Sequence, residues 1–436
     1  MRERNEQTSK LTLFTKIFVN LGIFQFLTFL RRGIFYTFMV NYLYTLMHAV
    51  TSTAALGTFD MIASALGQNL LWGRICDRFK VRTKLIIIGE SIAGFTYIIV
   101  FFIHRFLTDV GRSFDAGLTI ISGLAVLEFF WSMSDVGWAV LLTEITTPTS
   151  RGKIVGSLNF IASLGRLVGI IFAGFLYAGG EGFRNGTIFW TVTVLLYIGA
   201  AIMAFVSKSI GRDGLKPIQE SPITEGKAKE KFLFENERAY KWFLASLIII
   251  VLGAASINQI FFLFIKLQDG LNASDQEMSL IIGAWTVGGM IASAISGRLA
   301  DKIGREKTML SGLTLAVVTP VLYGLAVNVP MMAFIYGLNG VAFWSIQTVG
   351  FALAGDLTPE HKRGRLLSRY NTVIALSWGP AGILIGGPFA DIQTKILGTQ
   401  ERTAFINAFY LSSAIVTAGT VLFATKFLKT KGINLN

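Results

Sequence analysis

Gly73-Arg74-Ile75-Cys76-Asp77-Arg78-Phe79-Lys80-Val81-Arg82-Thr83-Lys84 is a short basic joint between two apolar runs. Gly297-Arg298-Leu299-Ala300-Asp301-Lys302-Ile303-Gly304-Arg305-Glu306-Lys307-Thr308 answers it in the second half of the chain. A second pattern also recurs: Glu144 with Arg151-Gly152 seven residues on, then Asp356 with Arg363-Gly364 at the same spacing. Two patterns repeated in the same order mark an internal duplication.

The runs around these joints set the class. Of 436 residues, 53% are hydrophobic and 15% charged, with a mean hydropathy of +0.58. That is more apolar side chain than a soluble core of this length encloses, so the lipid bilayer is the implied solvent. The runs are about 20 residues long, enough to cross a ~30 Å hydrocarbon core as helices and too uniformly apolar for barrel strands. Twelve spans are expected, at 17–47, 51–72, 85–104, 117–143, 153–178, 188–207, 242–265, 278–297, 308–327, 331–354, 366–388 and 403–425. Arg31-Arg32 interrupts the first, which leaves an eleven-span count or an offset start open. The expected architecture is an all-α membrane protein with two six-helix bundles related by pseudo-two-fold symmetry, at 17–207 and 242–425. A polar tail (1–16), a polar central loop (208–241) and a second tail (426–436) complete it.

The net charge of +13 is placed rather than spread. Arg74, Arg78, Lys80, Arg82 and Lys84 follow span two, and Lys302, Arg305 and Lys307 follow span eight; alternate loops are neutral or acidic. This positive-inside pattern puts both termini and the central loop in the cytoplasm, in a multi-pass protein of the plasma membrane, and argues against nucleic acid as a partner. Two Asn-x-Ser/Thr sequons, at Asn185 and Asn272, fall in loops assigned to the outside. Cys76 is the single cysteine, and His48, His104 and His361 lie far apart. No disulfide, metal site, cofactor or nucleophile set is expected, and no enzyme.

Charges inside the spans are the candidates for function, because each costs about 2.5–3.5 kcal/mol at mid-bilayer and so faces a cavity or a partner. The first half carries Arg31, Arg32, Asp60, Glu128, Asp135, Asn159 and Arg166. At 1.5 Å per residue, Arg32, Asp60, Glu128 and Arg166 share a layer roughly 20–24 Å from the basic joints. Glu128 and Asp135, seven apart, lie on one helical face beside Trp131 and Trp138, whereas Arg31 and Arg32 point about 100° apart. Two readings stay open: a cavity where a carboxylate exchanges a proton while an arginine tunes it or grips an anion, or structural salt bridges. Glu90, nearer the joint end of span three, is assigned to the gate. The second half offers neutral groups instead, with Asn258, Gln259, Asn339, Gln347, Asn371 and Trp378 as substrate-binding candidates; for Asn258 and Gln259 interhelical hydrogen bonding, and for Trp378 packing, is the alternative.

The joints resemble the Gly-x-x-x-Asp-Arg/Lys-x-Gly-Arg/Lys-x-Lys/Arg hallmark of the major facilitator superfamily of secondary transporters. The second copy follows it closely; the first has Lys80 in place of the glycine. The resemblance implies a monomeric carrier working by alternating access. It also implies a cytoplasmic gate made of Gly73, Asp77, Arg78 and Arg82 with Glu144 and Arg151, and of Gly297, Asp301, Lys302, Gly304 and Arg305 with Asp356 and Arg363. Ser256-Ile257-Asn258 followed by Phe261-Phe262 is similar to the sugar-porter and metabolite:proton symporter branches. The expected cargo is therefore a small sugar-like or carboxylate metabolite moved with protons. A drug or organic-anion exporter of the same fold is the alternative, and a non-transporting membrane sensor a remote one.

Overall fold

A computed structural model describes residues 2–79, 81–146, 148–212, 233–358 and 363–432, with side chains at 17–79, 81–146, 153–209, 237–358 and 366–432. The spans are α1 (Ile17–Met47), α2 (50–79), α3 (Arg82–Asp109), α4 (Ser113–Ile145), α5 (Pro148–Leu176) and α6 (Thr187–Arg212). In the second half they are α7 (Glu237–Lys266), α8 (Asp275–Ile303), α9 (Arg305–Tyr323), α10 (Val329–Asp356), α11 (Leu366–Ile396) and α12 (Glu401–Leu428). Ten are long and apolar enough to cross a membrane. The exceptions are α2, whose regular helix Val50–Leu66 gives way to a wider-wound stretch at Gly67–Trp72, and α9, which opens on the charged Arg305-Glu306-Lys307.

Interruptions fall where the sequence weakens the helical ladder. In α1 the hydroxyl of Thr37 donates back to the Gly33 carbonyl (2.5 Å), and a turn at 37–38 separates the two helical pieces. In α7, Ser256 donates to the Gly253 carbonyl (2.7 Å) and the helix restarts at Asn258. In α11, Pro380 and the Gly386-Gly387-Pro388 run accompany wide turns at Gly382–Gly386 and Ile392–Ile396.

Contacts divide the chain into two units: residues 1–39 with 59–221, and residues 40–58 with 222–436. The hairpin of residues 40–58 thus clusters with the second unit. Within that unit the backbone N–H groups of Val50 and Thr51, the exposed donors of the first turn of α2, donate to the carboxylate of Asp391 (3.2 and 2.9 Å). Asn41 donates to the Phe262 carbonyl (2.9 Å) and Thr58 to that of Gly379 (2.9 Å).

The duplication is also visible as helix pairing. In the first unit α1 packs on α5 and α6, and α3 on α4 and α6; in the second α7 packs on α11 and α12, and α9 on α10 and α12. Large side chains such as Phe95, Phe102, Phe172, Phe175, Leu280 and Phe334 are exposed, as suits helices bathed in lipid. Inside, small residues let backbones approach. A Cβ on Gly169 of α5 would lie 2.2 Å from the Leu30 carbonyl oxygen and 3.0 Å from Gly33 Cα of α1. Gly169→Val should therefore cost about 1–3 kcal/mol of overpacking. It should lower the melting temperature in detergent, whereas Gly156→Val, where an added Cβ meets nothing within 4 Å, should not.

Candidate functional site

Four helices of the first unit, α1 to α4, supply a compact charged layer. Arg32 of α1 pairs with Glu128 of α4 at 3.6 Å, and Tyr36, one turn along α1, donates to the other oxygen of Glu128 at 3.0 Å. Glu128 is 6% exposed, so both oxygens are matched out of water. Arg32 and Asp135 open onto a cavity of about 240 Å³ whose polar wall also includes Gln25, Thr28, Ser134 and Asn159. Phe24, Phe29, Trp131 and Trp138 form its apolar wall. Asp135 accepts a 3.3 Å hydrogen bond from the Gln68 amide of α2 on one carboxylate oxygen.

The remaining sequence candidates of this half sit apart from the cavity wall. Asp60 lies close enough to Glu128 and Arg32 for their charges to act on it, and its Oδ1 is buried with no hydrogen-bond partner. Arg31 is fully buried and turned to the interior, donating to the Tyr97 hydroxyl of α3 at 2.9 Å. Arg166 is half-buried on α5, with its carbonyl against Gly33.

Glu90 corrects the sequence reading. It is 1% exposed and belongs to the deep layer, with Oε1 accepting from the Trp131 indole (2.8 Å) and the Ser134 hydroxyl (2.7 Å). The layer therefore sets two guanidinium groups, of Arg31 and Arg32, against the four carboxylates of Asp60, Glu90, Glu128 and Asp135. Sequence reasoning also passed over Tyr36 and Tyr97. Tyr36 follows Arg32 by four residues and Tyr97 follows Glu90 by seven, so helical periodicity carries the signal for both.

In the second unit the neutral candidates divide. Asn339 of α10 accepts from the Trp285 indole of α8 (3.2 Å) and donates to the Thr319 hydroxyl of α9 (3.0 Å), which makes it an interhelical bridge. Asn258 begins the second helical piece of α7. The Oε1 of neighbouring Gln259 is buried without a partner, packed beside Gly382 of α11, where an added Cβ would lie 2.7 Å away. Gln347 is half-buried, and Asn371 and Trp378 are exposed. Trp378 is 6.5 Å from Phe343, which joins Trp285 (5.3 Å) in an aromatic cluster. The stacked pair Phe261–Tyr336 (4.0 Å) extends it through Tyr336, 6.4 Å from Trp285.

At each joint one ion pair ties the helix that the joint opens to the helix that follows it. Arg82 pairs with Glu144 across α3 and α4, and Arg305 pairs with Asp356 across α9 and α10. Arg305 also donates to the Ala352 carbonyl at 3.2 Å. Gly304 links α8 to α9 at φ 93°, a backbone conformation that favours glycine. Lys80, at the corresponding place in the first joint, lies outside the described residues, as do the side chains of Arg151 and Arg363. Gly73 and Gly297 are helical, and no ion pair joins Asp77, Arg78, Asp301 or Lys302 to another described residue. Among the described residues no cluster of three His, Cys, Asp or Glu side chains is placed to hold a metal ion.

Comparison with known proteins brings these features together. Residues 21–269 and 245–433 match the family model of the Major Facilitator Superfamily. An uncharacterised MFS-type transporter of Mycobacterium tuberculosis is 31% identical over 121 residues, 27% of this chain and 17% of that protein. Multidrug resistance protein 2 of Bacillus subtilis is 24% identical over 186 residues, 43% of this chain and 44% of that protein. The matched stretch thus spans less than half the length of each relative. A bacterial homologue of the human lysosomal transporter Spinster, solved in an inward-facing, unoccupied conformation, has a TM-score of 0.66 at 13% identity over 96% of this chain and 97% of its own. That likeness is one of fold.

Two predictions come from this geometry. Arg32→Met strands the buried Glu128 charge and should destabilise the protein. The loss should fall below the about 3–5 kcal/mol of a fully buried pair, because the Arg32 side chain is 34% exposed. Adding Glu128→Gln should recover part of it in thermal unfolding. Cys76 is 2% exposed and lies past the apolar part of α2; burial pushes its thiol up. Maleimide should label it far more slowly at neutral pH than a cysteine placed at Phe79, which is 61% exposed.

Proposed function

The chain belongs to the major facilitator superfamily, a family of membrane transporters, and we propose that it is a proton-coupled secondary carrier of a small polar metabolite. The observation that carries this reading is the deep layer of the first unit, where four carboxylates meet the guanidinium groups of Arg31 and Arg32 beside a cavity. Fully ionised, that layer holds more carboxylates than guanidinium groups. Binding protons reduces this excess, and a layer nearer neutrality is the form that a low-dielectric interior tolerates.

Asp60 and Glu128, with Asp135 beside them, are the proton-exchanging groups in this reading, and Arg32 is the partner of Glu128. The hydrogen-bonding groups of Gln25, Thr28, Ser134 and Asn159 line a space suited to a small sugar-like or carboxylate cargo. In the second unit Asn258, Gln259, Gln347, Asn371 and Trp378 are the candidate cargo-binding groups, and Asn339 bridges Trp285 and Thr319. The pairs Arg82–Glu144 and Arg305–Asp356 brace a cytoplasmic gate. The carrier is a monomer of the plasma membrane with both termini in the cytoplasm.

A second reading, an exporter of organic cations, has an observation of its own. Arg31 is turned inward and Arg32 is already paired, while Asp135 stays open to a cavity walled by Phe24, Phe29, Trp131 and Trp138. Such a wall with an acidic group favours a cation over an anion. It weakens the organic-anion alternative.

Uptake into proteoliposomes with an imposed pH gradient tests the main reading. A gradient of one pH unit supports at most about tenfold accumulation when one proton accompanies each substrate. A sugar or carboxylate should approach that limit with the wild-type carrier, and Asp60→Asn should reduce accumulation to about onefold. Accumulation that ignores the gradient would exclude proton coupling. Gradient-driven extrusion of an organic cation, with no metabolite uptake, would select the second reading.

A further inference from the structure

One side chain of the deep layer carries no charge and yet contacts three that do. Trp131 is 3% exposed, and the guanidinium carbons of Arg32 and Arg31 lie 4.1 and 5.3 Å from its ring centre. Its indole N–H donates to Glu90 Oε1 at 2.8 Å. Glu128 precedes it by three residues and Asp135 follows by four, so all three share one face of α4. Neighbouring side chains of a helix diverge by about 100°, and the indole stands where Arg31 and Arg32 part. Arg31 turns inward to Tyr97, and Arg32 turns to the cavity and Glu128.

The ring also supplies what hydrogen bonding does not. Nε of Arg32, and Nε and Nη2 of Arg31, are buried without an acceptor. A buried guanidinium lacking acceptors is costly, and an aromatic face beside it offsets part of the loss. A space-filling leucine would leave both arginines uncompensated and Glu90 without its indole donor.

We propose that Trp131 is the positioning residue of the charge layer. Its ring face holds Arg32 against Glu128 at the cavity wall, and its N–H ties that wall to Glu90, a carboxylate shut away from the cavity. Protonation or occupancy on the cavity side is thereby felt at Glu90 through the indole. This inference rests on the proton-coupled reading above.

Other ionisable groups face the same centre. Tyr36 joins Arg31 and Arg32 on α1, and Tyr97 joins Glu90 on α3. Glu128 and Asp135 lie on α4 itself, while α2 contributes Asp60. A measured pH midpoint therefore belongs to the whole layer.

The test compares three variants by the pH dependence of uptake in proteoliposomes and by ultraviolet resonance Raman spectroscopy of the indole N–H. W131F keeps a ring face and loses the N–H, W131L loses both, and E90Q keeps an acceptor but removes its charge. W131F and E90Q should each displace the pH midpoint by about half a unit or more, about a threefold change in proton affinity. W131L should abolish the pH-dependent component, and W131F should restore part of it. The N–H marker assigned to Trp131, as the band lost in W131F, should shift in E90Q. Wild-type midpoints in W131F and W131L, with lowered melting temperatures alone, would overturn the proposal, as would an unmoved marker band. Wild-type uptake that ignores the proton gradient would remove the coupled reading, and the Raman comparison would still decide whether Trp131 reports to Glu90.

Discussion

A charge placed deep in a bilayer has no water to lean on, and everything in the first unit follows from how its charges are matched. Arg32 and Glu128 pair, Tyr36 closes on the second oxygen of Glu128, and Glu90 takes two donors from α4. These contacts join α1, α3 and α4, helices that small residues and aromatic packing alone would leave free to slide. The electrostatic requirement and the packing requirement are thus met by the same side chains. A cavity survives beside them because Arg32 and Asp135 face outward from that knot.

The two units answer a common topology with different chemistry. Helix pairing repeats from one to the other, and so does the ion pair at each joint. The interior does not repeat. Where the first unit packs carboxylates and guanidinium groups, the second packs Trp285, Tyr336, Phe343 and Trp378 around amides, one of which, Asn339, is consumed as a bridge between helices. The repeated parts are those that set helix pairing and the joints.

The legibility of the sequence follows the same boundary. Span positions and the joints could be read because hydropathy and charge placement act along the chain, within reach of a sliding window. Fixed helix rise puts Arg32, Asp60, Glu128 and Arg166 at one expected depth; of these, Arg32 pairs with Glu128 and Asp60 lies beside both. What escaped depends on rotation between helices. Glu90 looked like a gate residue from its distance to the joint, yet it faces Trp131 and Ser134. Asn339 looked like a ligand group by its spacing, and Trp285 and Thr319 occupy both ends of its amide. The adjacency of Arg31 and Arg32 was visible; the indole that separates them comes from a helix 100 residues away.

Residues 40–58 carry a consequence for anyone who would take the protein apart. They are encoded with the first six spans but cluster with the last six, where Asp391 caps Val50 and Thr51 and Phe262 receives Asn41. The unit of inheritance and the unit of packing are therefore offset by one hairpin. A chimaera joined at the central loop, however well matched its helices, would seat one parent's hairpin on the other parent's Asp391. The compatible graft carries residues 40–58 along with the second half.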